Sequence, residues 1–229
     1  MALYALGDLH LSLNSNKSME IFGDGWQDYV LRLKEAFSAL RPEDVTVLCG
    51  DLSWGMSLEE SLEDFRFIDA LPGKKYLLKG NHDYWWNTAA KMERFFREHE
   101  LTTMEILHNN CKFYGELALC GTRGWFYELD NQGTHNEKVL LREIGRLESS
   151  LKAAGEHEKL VFLHYPPLYQ GYRCPEILRL LKEYGAKACY YGHLHGASHR
   201  RAIEGMWDGT EFSLVSADYL KFVPKKICE

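Results

Sequence analysis

Asp8-Leu9-His10, Gly50-Asp51, Gly80-Asn81-His82-Asp83, His164 and Gly192-His193-Leu194-His195 each follow a short apolar run directly. Their carboxylates, imidazoles and carboxamide are the side chains that bind metal ions, and the preceding runs have the length and composition of strands. One such run ending in a ligand-type residue can arise by chance. Five in one chain imply strand tips aimed at a common point, and the competing reading of ordinary polar turns weakens with each recurrence. At the carboxyl edge of an open α/β sheet, that point is where ligands bind.

Asp8, His10, Asp51, Asn81, His164, His193 and His195 offer three oxygen and four nitrogen donors. That is more than one four- to six-coordinate ion needs once waters are counted, so two ions fit better. A shared carboxylate can bridge ions about 3.5–4 Å apart, the spacing of two-metal hydrolytic sites, and spacing alone leaves either aspartate as the bridge. The two aspartates offset only half of the charge that two divalent ions carry. The centre therefore stays positive, favours a phosphate oxyanion and acidifies water toward hydroxide. Mixed nitrogen and carboxylate donors suit Mn, Fe or Zn, as divalent or mixed-valence pairs, more than an all-oxygen Ca or Mg cage.

The ordered set D-x-H, G-D, G-N-H-D, H and G-H-x-H, running from Asp8 to His195, resembles the calcineurin-like metallophosphoesterase superfamily. Each piece is weak alone; all five in order are specific. The resemblance implies that Asp8, His10 and His195 bind one ion, that Asn81, His164 and His193 bind the other, and that Asp51 bridges them. It implies that His82 stands outside the coordination shell, contacts the phosphate and assists the departing alkoxide, as proton donor or by electrostatic stabilisation, after in-line attack of a hydroxide held between the ions. It also implies a β-sandwich flanked by helices. The chain departs from the phosphoprotein-phosphatase branch, in which an Asp three residues beyond the bridging one orients the matching His and an Arg follows it. Here those positions are Trp54 and Gly55.

A replacement phosphate clamp is expected from Arg123, in Gly121-Thr122-Arg123-Gly124-Trp125, against the plain alternative of a surface arginine on a loop. Residues 125–136 mix aromatic and Asn/Gly positions and are read as a wall or lid, which makes His135 the best placed of the remaining histidines. His99, His108, His157 and His199 stand in polar surroundings and are read as exposed. Trp85 and Trp86 are read as packing residues before base-stacking ones, and Tyr165-Pro166-Pro167 as a rigid turn that aims His164.

The elements needed to position these side chains are legible. Leu3–Leu6, Val45–Cys49, Tyr76–Leu78, Leu160–Leu163 and Ala188–Tyr191 read as core strands, with Phe212–Val215 as a further one. Phe113–Tyr114 and Leu117–Cys120 around Gly115-Glu116 read as a hairpin. Helical periodicity covers Trp26–Leu40, Ser57–Leu71, Thr88–His99, Glu137–Ala154 and Pro175–Tyr184, with Ser57 and Glu60 in capping-box spacing and Gly155 and Gly185 as stops. Helix-linked strands mixed with a hairpin predict an α/β fold: a mixed β-sandwich flanked by helices in four α/β/β/α layers. With 229 residues, 45% of them hydrophobic, and no linker-like stretch, the chain is read as one domain over residues 1–229.

A net charge of −6 with interspersed signs gives no broad basic face, which argues against nucleic acid as a partner and leaves a small phosphate ester as the expected one. No apolar run approaches the roughly 18 residues of a membrane span, and the N-terminal run, without a leading positive charge, is read as a strand. Six cysteines without a C-x-x-C pair read as free, largely buried thiols of a cytoplasmic protein. Two other function classes fit the same residues: a catalytically silent protein-binding scaffold, and a phosphate or nucleotide sensor that binds without hydrolysis. Turnover with added Mn separates the enzyme from both.

Overall fold

Strand residues that alternate between two apolar environments need cover on both faces, and the sheets here receive it. The computed structural model describes residues 1–14, 17, 19–125 and 134–229, without the side chains of residues 22, 24, 134 and 135. In chain order the elements are β1 (Leu3–Leu6), α1 (Tyr29–Phe37), β2 (Val45–Leu48), α2 (Leu62–Ala70), β3 (Lys74–Leu77), α3 (Ala89–Glu98), β4 (Met104–Ile106), β5 (Cys111–Tyr114), β6 (Leu117–Thr122) and α4 (Thr134–Ala153). They continue with β7 (Glu158–Leu163), β8 (Leu168–Tyr169), β9 (Tyr172–Arg173), α5 (Pro175–Glu183), β10 (Ala186–Tyr191), β11 (Gly205–Trp207), β12 (Thr210–Leu214) and β13 (Lys225–Cys228), with short 3-10 turns at 19–22, 24–26 and 196–201.

The first sheet has the order β13-β1-β2-β3-β4, parallel except for β13. The second has the order β11-β12-β10-β7-β6-β5, parallel except for its two edge strands. Leu3, Ala5, Val45, Val47, Leu160 and Phe162 point into the space between the sheets. Their neighbours Leu6 and Leu48 face outward to α1, α2 and α3, and Val161 and Leu163 face outward to α4 and α5. The result is the four-layer α/β/β/α sandwich expected from the sequence.

Helix ends follow local chemistry. Thr88 caps α3 by accepting from the Lys91 N–H at 3.4 Å, and Pro175 occupies the first turn of α5, where a missing N–H costs nothing. The Ser57 hydroxyl accepts from the Glu60 N–H at 3.2 Å, yet regular helix begins only at Leu62, because residues 57–61 form tighter turns. Lys75 is wholly buried and donates from Nζ to the carbonyls of Asp69, Leu71 and Gly73 at 3.2, 2.6 and 2.8 Å, tying the end of α2 to β3. Burial lowers its ammonium to about 8.

The edge strands β4, β11 and β13 and the small β8–β9 pair were not legible in the periodicity. Among the described residues no helix is long and apolar enough to cross a membrane. All six cysteines are free, with Cys49, Cys120, Cys174 and Cys189 buried and Cys111 and Cys228 half-buried. The two sheets meet at their carboxyl ends: the Gly7 N–H donates to Val215 at 2.7 Å and the Ala217 N–H donates to Gly7 at 2.9 Å. That junction lies beside Asp8.

Candidate metal centre

Five parallel strands end at this junction, and each delivers the residues its sequence promised. β1 leads to Asp8 and His10, β2 to Asp51, β3 to Asn81 and His82, β7 to His164, and β10 to His193 and His195. To turn a ligand back toward the centre, the chain takes left-handed backbone at Asp8 (φ 62°), His10 (φ 47°), Asp51 (φ 52°) and His193 (φ 72°). Such residues cost on the order of 1–3 kcal/mol each and cluster where function maintains the strain. Glycine makes room next to them: a Cβ on Gly80 would collide with the Asp51 carboxylate, and one on Gly192 with that of Asp8.

The donor atoms fall into two groups, Asp8/His10/His195 and Asp51/His164/His193, each with its atoms within 4.8 Å of one another. His10 Nε2 lies 3.3 Å from His195 Nε2, and His193 Nδ1 lies 3.2 Å from His164 Nε2. Donors about 2.1 Å from a tetrahedral or octahedral ion are separated by about 3.0–3.4 Å, so both separations fit a coordination edge. Asp51 Oδ2 faces both groups, 3.7 Å from His10 Nε2 and 3.5 Å from His164 Nε2. Asn81 Oδ1 joins the second group at 2.6 Å from His164 Nε2. The structure thus brings all seven predicted ligand residues together.

Electrostatics agrees with a site built for cations. Burial first, with neighbouring imidazoles adding to it, lowers His10 to about 3, His164 to about 4 and His193 to about 2, so these rings keep free lone pairs at neutral pH. Burial, Asp83 and Asp8 push Asp51 well above the usual carboxylate range. Burial would also raise Asp8, but His195 reverses it and the carboxyl lies below that range. Burial likewise opposes the charge on His195, yet Asp8 and Asp218 lift its imidazolium to about 10. Two buried carboxylates, Asp8 and Asp51, thus face a largely neutral imidazole shell, with Asp83 adding to the negative charge behind Asp51, and a cation would relieve their repulsion.

Asp83 and Asp218 are supporting residues that the sequence reading missed. Asp83 accepts from the N–H groups of Asp51, Leu52 and Gly80 at 2.9, 2.8 and 2.7 Å and from Trp85 Nε1 at 3.0 Å, so one buried carboxylate fixes the loops carrying Asp51 and Asn81. Asp218 lies within 3.0 Å of His195 Nδ1 and 3.1 Å of His199 Nε2, and accepts from the Gly196 N–H at 3.0 Å. A signal for Asp218 existed: it stands just beyond the predicted strand Phe212–Val215, as the other site residues do beyond theirs. Cys49 plays the same part for His164, its carbonyl lying 3.1 Å from Nδ1.

His82 is half-buried at the mouth, its N–H donating to Asp51 Oδ1 at 2.7 Å. Trp54, which replaces the orienting aspartate of the phosphoprotein-phosphatase pattern, stacks on His10 at 5.1 Å and tilts against His82 at 4.5 Å. The Tyr84 hydroxyl lies 3.4 Å from His82 Nδ1. Aromatic packing and a phenol thus hold this ring where the phosphoprotein-phosphatase pattern has a carboxylate, and burial followed by His195 lowers its basicity.

Arg123 sits on the adjoining loop, and its carbonyl accepts from the N–H groups of His164 and Tyr165 at 3.1 and 2.9 Å. Its guanidinium lies 3.5 Å from Glu143 and 4.8 Å above the Trp125 ring. Residues 126–133 of the expected lid, and the His135 side chain, lie outside the described residues. Three histidines read as exposed are instead half-buried: His99 packs on Phe95 at 4.3 Å, His108 lies against Trp86 at 5.8 Å, and His199 is 3.1 Å from Asp218. Trp85 is a core residue packed on Phe65 at 4.7 Å, as its packing role required.

The family model for calcineurin-like phosphoesterases matches residues 1–197, a span that contains every ligand residue named above. A protein of unknown function from Aquifex aeolicus has a similar structure, with a TM-score of 0.52 at 16% identity over 98% of this chain and 95% of that one. A protein from Thermus thermophilus aligns with a TM-score of 0.50 at 13% identity over 84% of this chain and 81% of its own. At such identities the likeness speaks for the fold alone. No curated protein matches the chain.

Proposed function

Because the chain belongs to the calcineurin-like phosphoesterase family, we propose that it is a binuclear metal-dependent phosphoesterase hydrolysing a small phosphate mono- or diester. The observation that carries this reading is Asp51 Oδ2, set between His10 and His164 at 3.7 and 3.5 Å, with a separate histidine–carboxylate group on either side. Asp8, His10 and His195 would hold one ion and Asn81, His164 and His193 the other, with Asp51 shared between them. Two such ions, Mn, Fe or Zn by donor type, would supply Lewis acidity toward the phosphoryl oxygens and acidify water.

The protein's own groups do the rest. Asp83 and Cys49 fix ligand directions before substrate arrives, which removes reorganisation from the reaction. In this reading His82, its ring held by Trp54 and Tyr84, meets the leaving oxygen. Arg123, on the neighbouring loop after β6, with its carbonyl accepting from the His164 N–H, is the residue assigned to the phosphate.

The test is a substrate panel. Protein reconstituted with Mn or Zn should hydrolyse 4-nitrophenyl phosphate or bis(4-nitrophenyl) phosphate and lose that activity on chelation. A protein that binds two ions per chain yet releases no product from any ester would reject the enzyme in favour of a silent scaffold or sensor.

Asp218→Asn tests the supporting shell. His195 would lose the charged partner of its Nδ1, and metal affinity should fall about 10–100-fold, as for comparable outer carboxylates. Competition against a chromogenic chelator measures it, and an unchanged affinity would remove Asp218 from the account.

A further inference from the structure

Cys111 and Cys120 stand directly opposite each other in the hairpin of β5 and β6. Opposed residues of antiparallel strands have Cα atoms about 4.5–5.5 Å apart, inside the roughly 4.4–6.8 Å that a disulfide spans. Their sulfurs are 4.0 Å apart, with the Cys120 thiol donating to Cys111. The backbone spacing already suits a bond, so only side-chain rotation separates the two thiols from one. The other four cysteines make no sulfur–sulfur contact among the described residues.

The two thiols are not equivalent. β5 is the edge of its sheet, and Cys111 is half-buried there, partly open to solvent. Its Sγ lies 3.3 Å from the Lys112 carbonyl, the acceptor for its proton when it is a thiol. Cys120, on the inner strand β6, is wholly buried, and its Sγ also lies 3.5 Å from the Ser150 carbonyl of α4. The hydrogen bond from Cys120 lowers the Cys111 thiol below its ordinary value against the opposing effect of burial, and Lys159 and Lys112 add to it. The same bond, followed by burial, raises Cys120. An accessible, readily ionised sulfur beside a buried, protonated one matches the roles of an attacking and a resolving cysteine. Apolar packing alone would be met by alanine or valine at either position and accounts for neither the sulfur contact nor its asymmetry.

We propose that Cys111 and Cys120 form a reversible redox site, a dithiol that a peroxide converts into a disulfide across the β5–β6 hairpin. The Cys111 thiolate attacks one oxygen of hydrogen peroxide, the O–O bond breaks, and the departing hydroxide takes a proton from solvent and leaves as water. Cys111 is then a sulfenic acid. The Cys120 sulfur attacks the Cys111 sulfur, its proton passes to the sulfenic oxygen, the S–O bond breaks and a second water leaves. Each sulfur has given up one electron, and the peroxide has taken both. A dithiol reductant reverses the change by thiol–disulfide exchange. The bond replaces the Cys120 donation to Cys111 and to the Ser150 carbonyl with a covalent tie between the edge strand and the sheet. The pair includes no metal ligand, so the redox site stands whether or not the chain hydrolyses phosphate esters.

The test exposes the reduced full-length chain, freed of reductant, to hydrogen peroxide in the presence of a chelator. Peptide mapping by mass spectrometry should find a Cys111–Cys120 cross-link, lighter than the reduced pair by two hydrogens, and dithiothreitol should remove it. In the reduced native protein, iodoacetamide should modify Cys111 at least about tenfold faster than Cys120. Cys120→Ser should leave on Cys111 a sulfenic acid that dimedone traps, and Cys111→Ser should leave Cys120 reduced under the same exposure. A cross-link only between other cysteines, no cross-link at an exposure that fully oxidises free glutathione, or faster alkylation of Cys120 overturns the site. Should neither serine variant fold, the cross-link map and the alkylation rates of the wild type decide alone.

Discussion

Asp51→Asn is expected to lower kcat/KM by about 10³-fold or more, the loss of at least about 4 kcal/mol of transition-state stabilisation, together with loss of metal from the protein. The substitution is isosteric and keeps an oxygen to accept the His82 N–H, so the fold has no reason to change. What disappears is the second anionic oxygen, the one facing both donor groups. A stability measurement separates this from damage. In the metal-free wild type, burial, Asp83 and Asp8 raise the Asp51 pKa above its unfolded value, so its contribution is most favourable below about pH 3.9 and is lost as pH rises toward the folded value. Asparagine carries no such penalty at neutral pH. In chelator the variant should therefore melt at the same temperature as wild type or higher, while added Mn should raise only the wild-type melting temperature strongly. Retained metal stoichiometry, or retained turnover, would contradict the bridging role.

The parts of this site legible in the sequence share one property: each ligand lies within a few residues of the end of a buried parallel strand, so an apolar run and a polar residue together reveal it. Leu3–Leu6 before Asp8 and Ala188–Tyr191 before His193 are of this kind. Edge strands such as β4 and β13 are short and polar on one side, and their pattern does not stand out from loops. Asp83 was visible in the G-N-H-D string but not its purpose, because a carboxylate that accepts from four backbone N–H groups and one indole acts chiefly through backbone atoms that carry no residue identity. Trp54 shows the opposite limit. Its difference from the phosphatase pattern was plain, but only packing against His10 and His82 reveals what took the place of the missing acid.

Left-handed backbone at Asp8, His10, Asp51 and His193 ties fold to site more closely than the hydrogen bonds do. Ligand residues in that region are disfavoured locally, and the two sheets, held by the inter-sheet core, over-determine them. A scaffold with no use for these directions would relax them by substituting glycine, whose backbone tolerates positive φ. Other non-glycine residues such as Asp28 and Glu100 share positive φ away from the site, so it is the pairing of this backbone with converging ligand side chains that supports a working centre.

His82→Gln divides the two roles open to this histidine. Metal content should stay at the wild-type level, since the ring belongs to neither donor group. Alkyl phosphates, with a leaving group that needs a proton or a strong hydrogen bond, should lose about 10²–10³-fold in kcat/KM, while 4-nitrophenyl phosphate should lose less than about 10-fold. The pH dependence of the alkyl-to-aryl ratio then distinguishes the roles, because taking a ratio on one preparation cancels metal occupancy. Burial and His195 lower the His82 pKa, so at neutral pH the ring is mostly uncharged. If the imidazolium delivers the proton, the wild-type ratio falls tenfold per pH unit above that lowered pKa. If a neutral N–H only stabilises the departing oxyanion, the ratio stays flat across neutral pH. In the first case glutamine removes the pH dependence specific to His82, and equal losses on alkyl and nitrophenyl esters would take His82 out of the leaving-group step altogether.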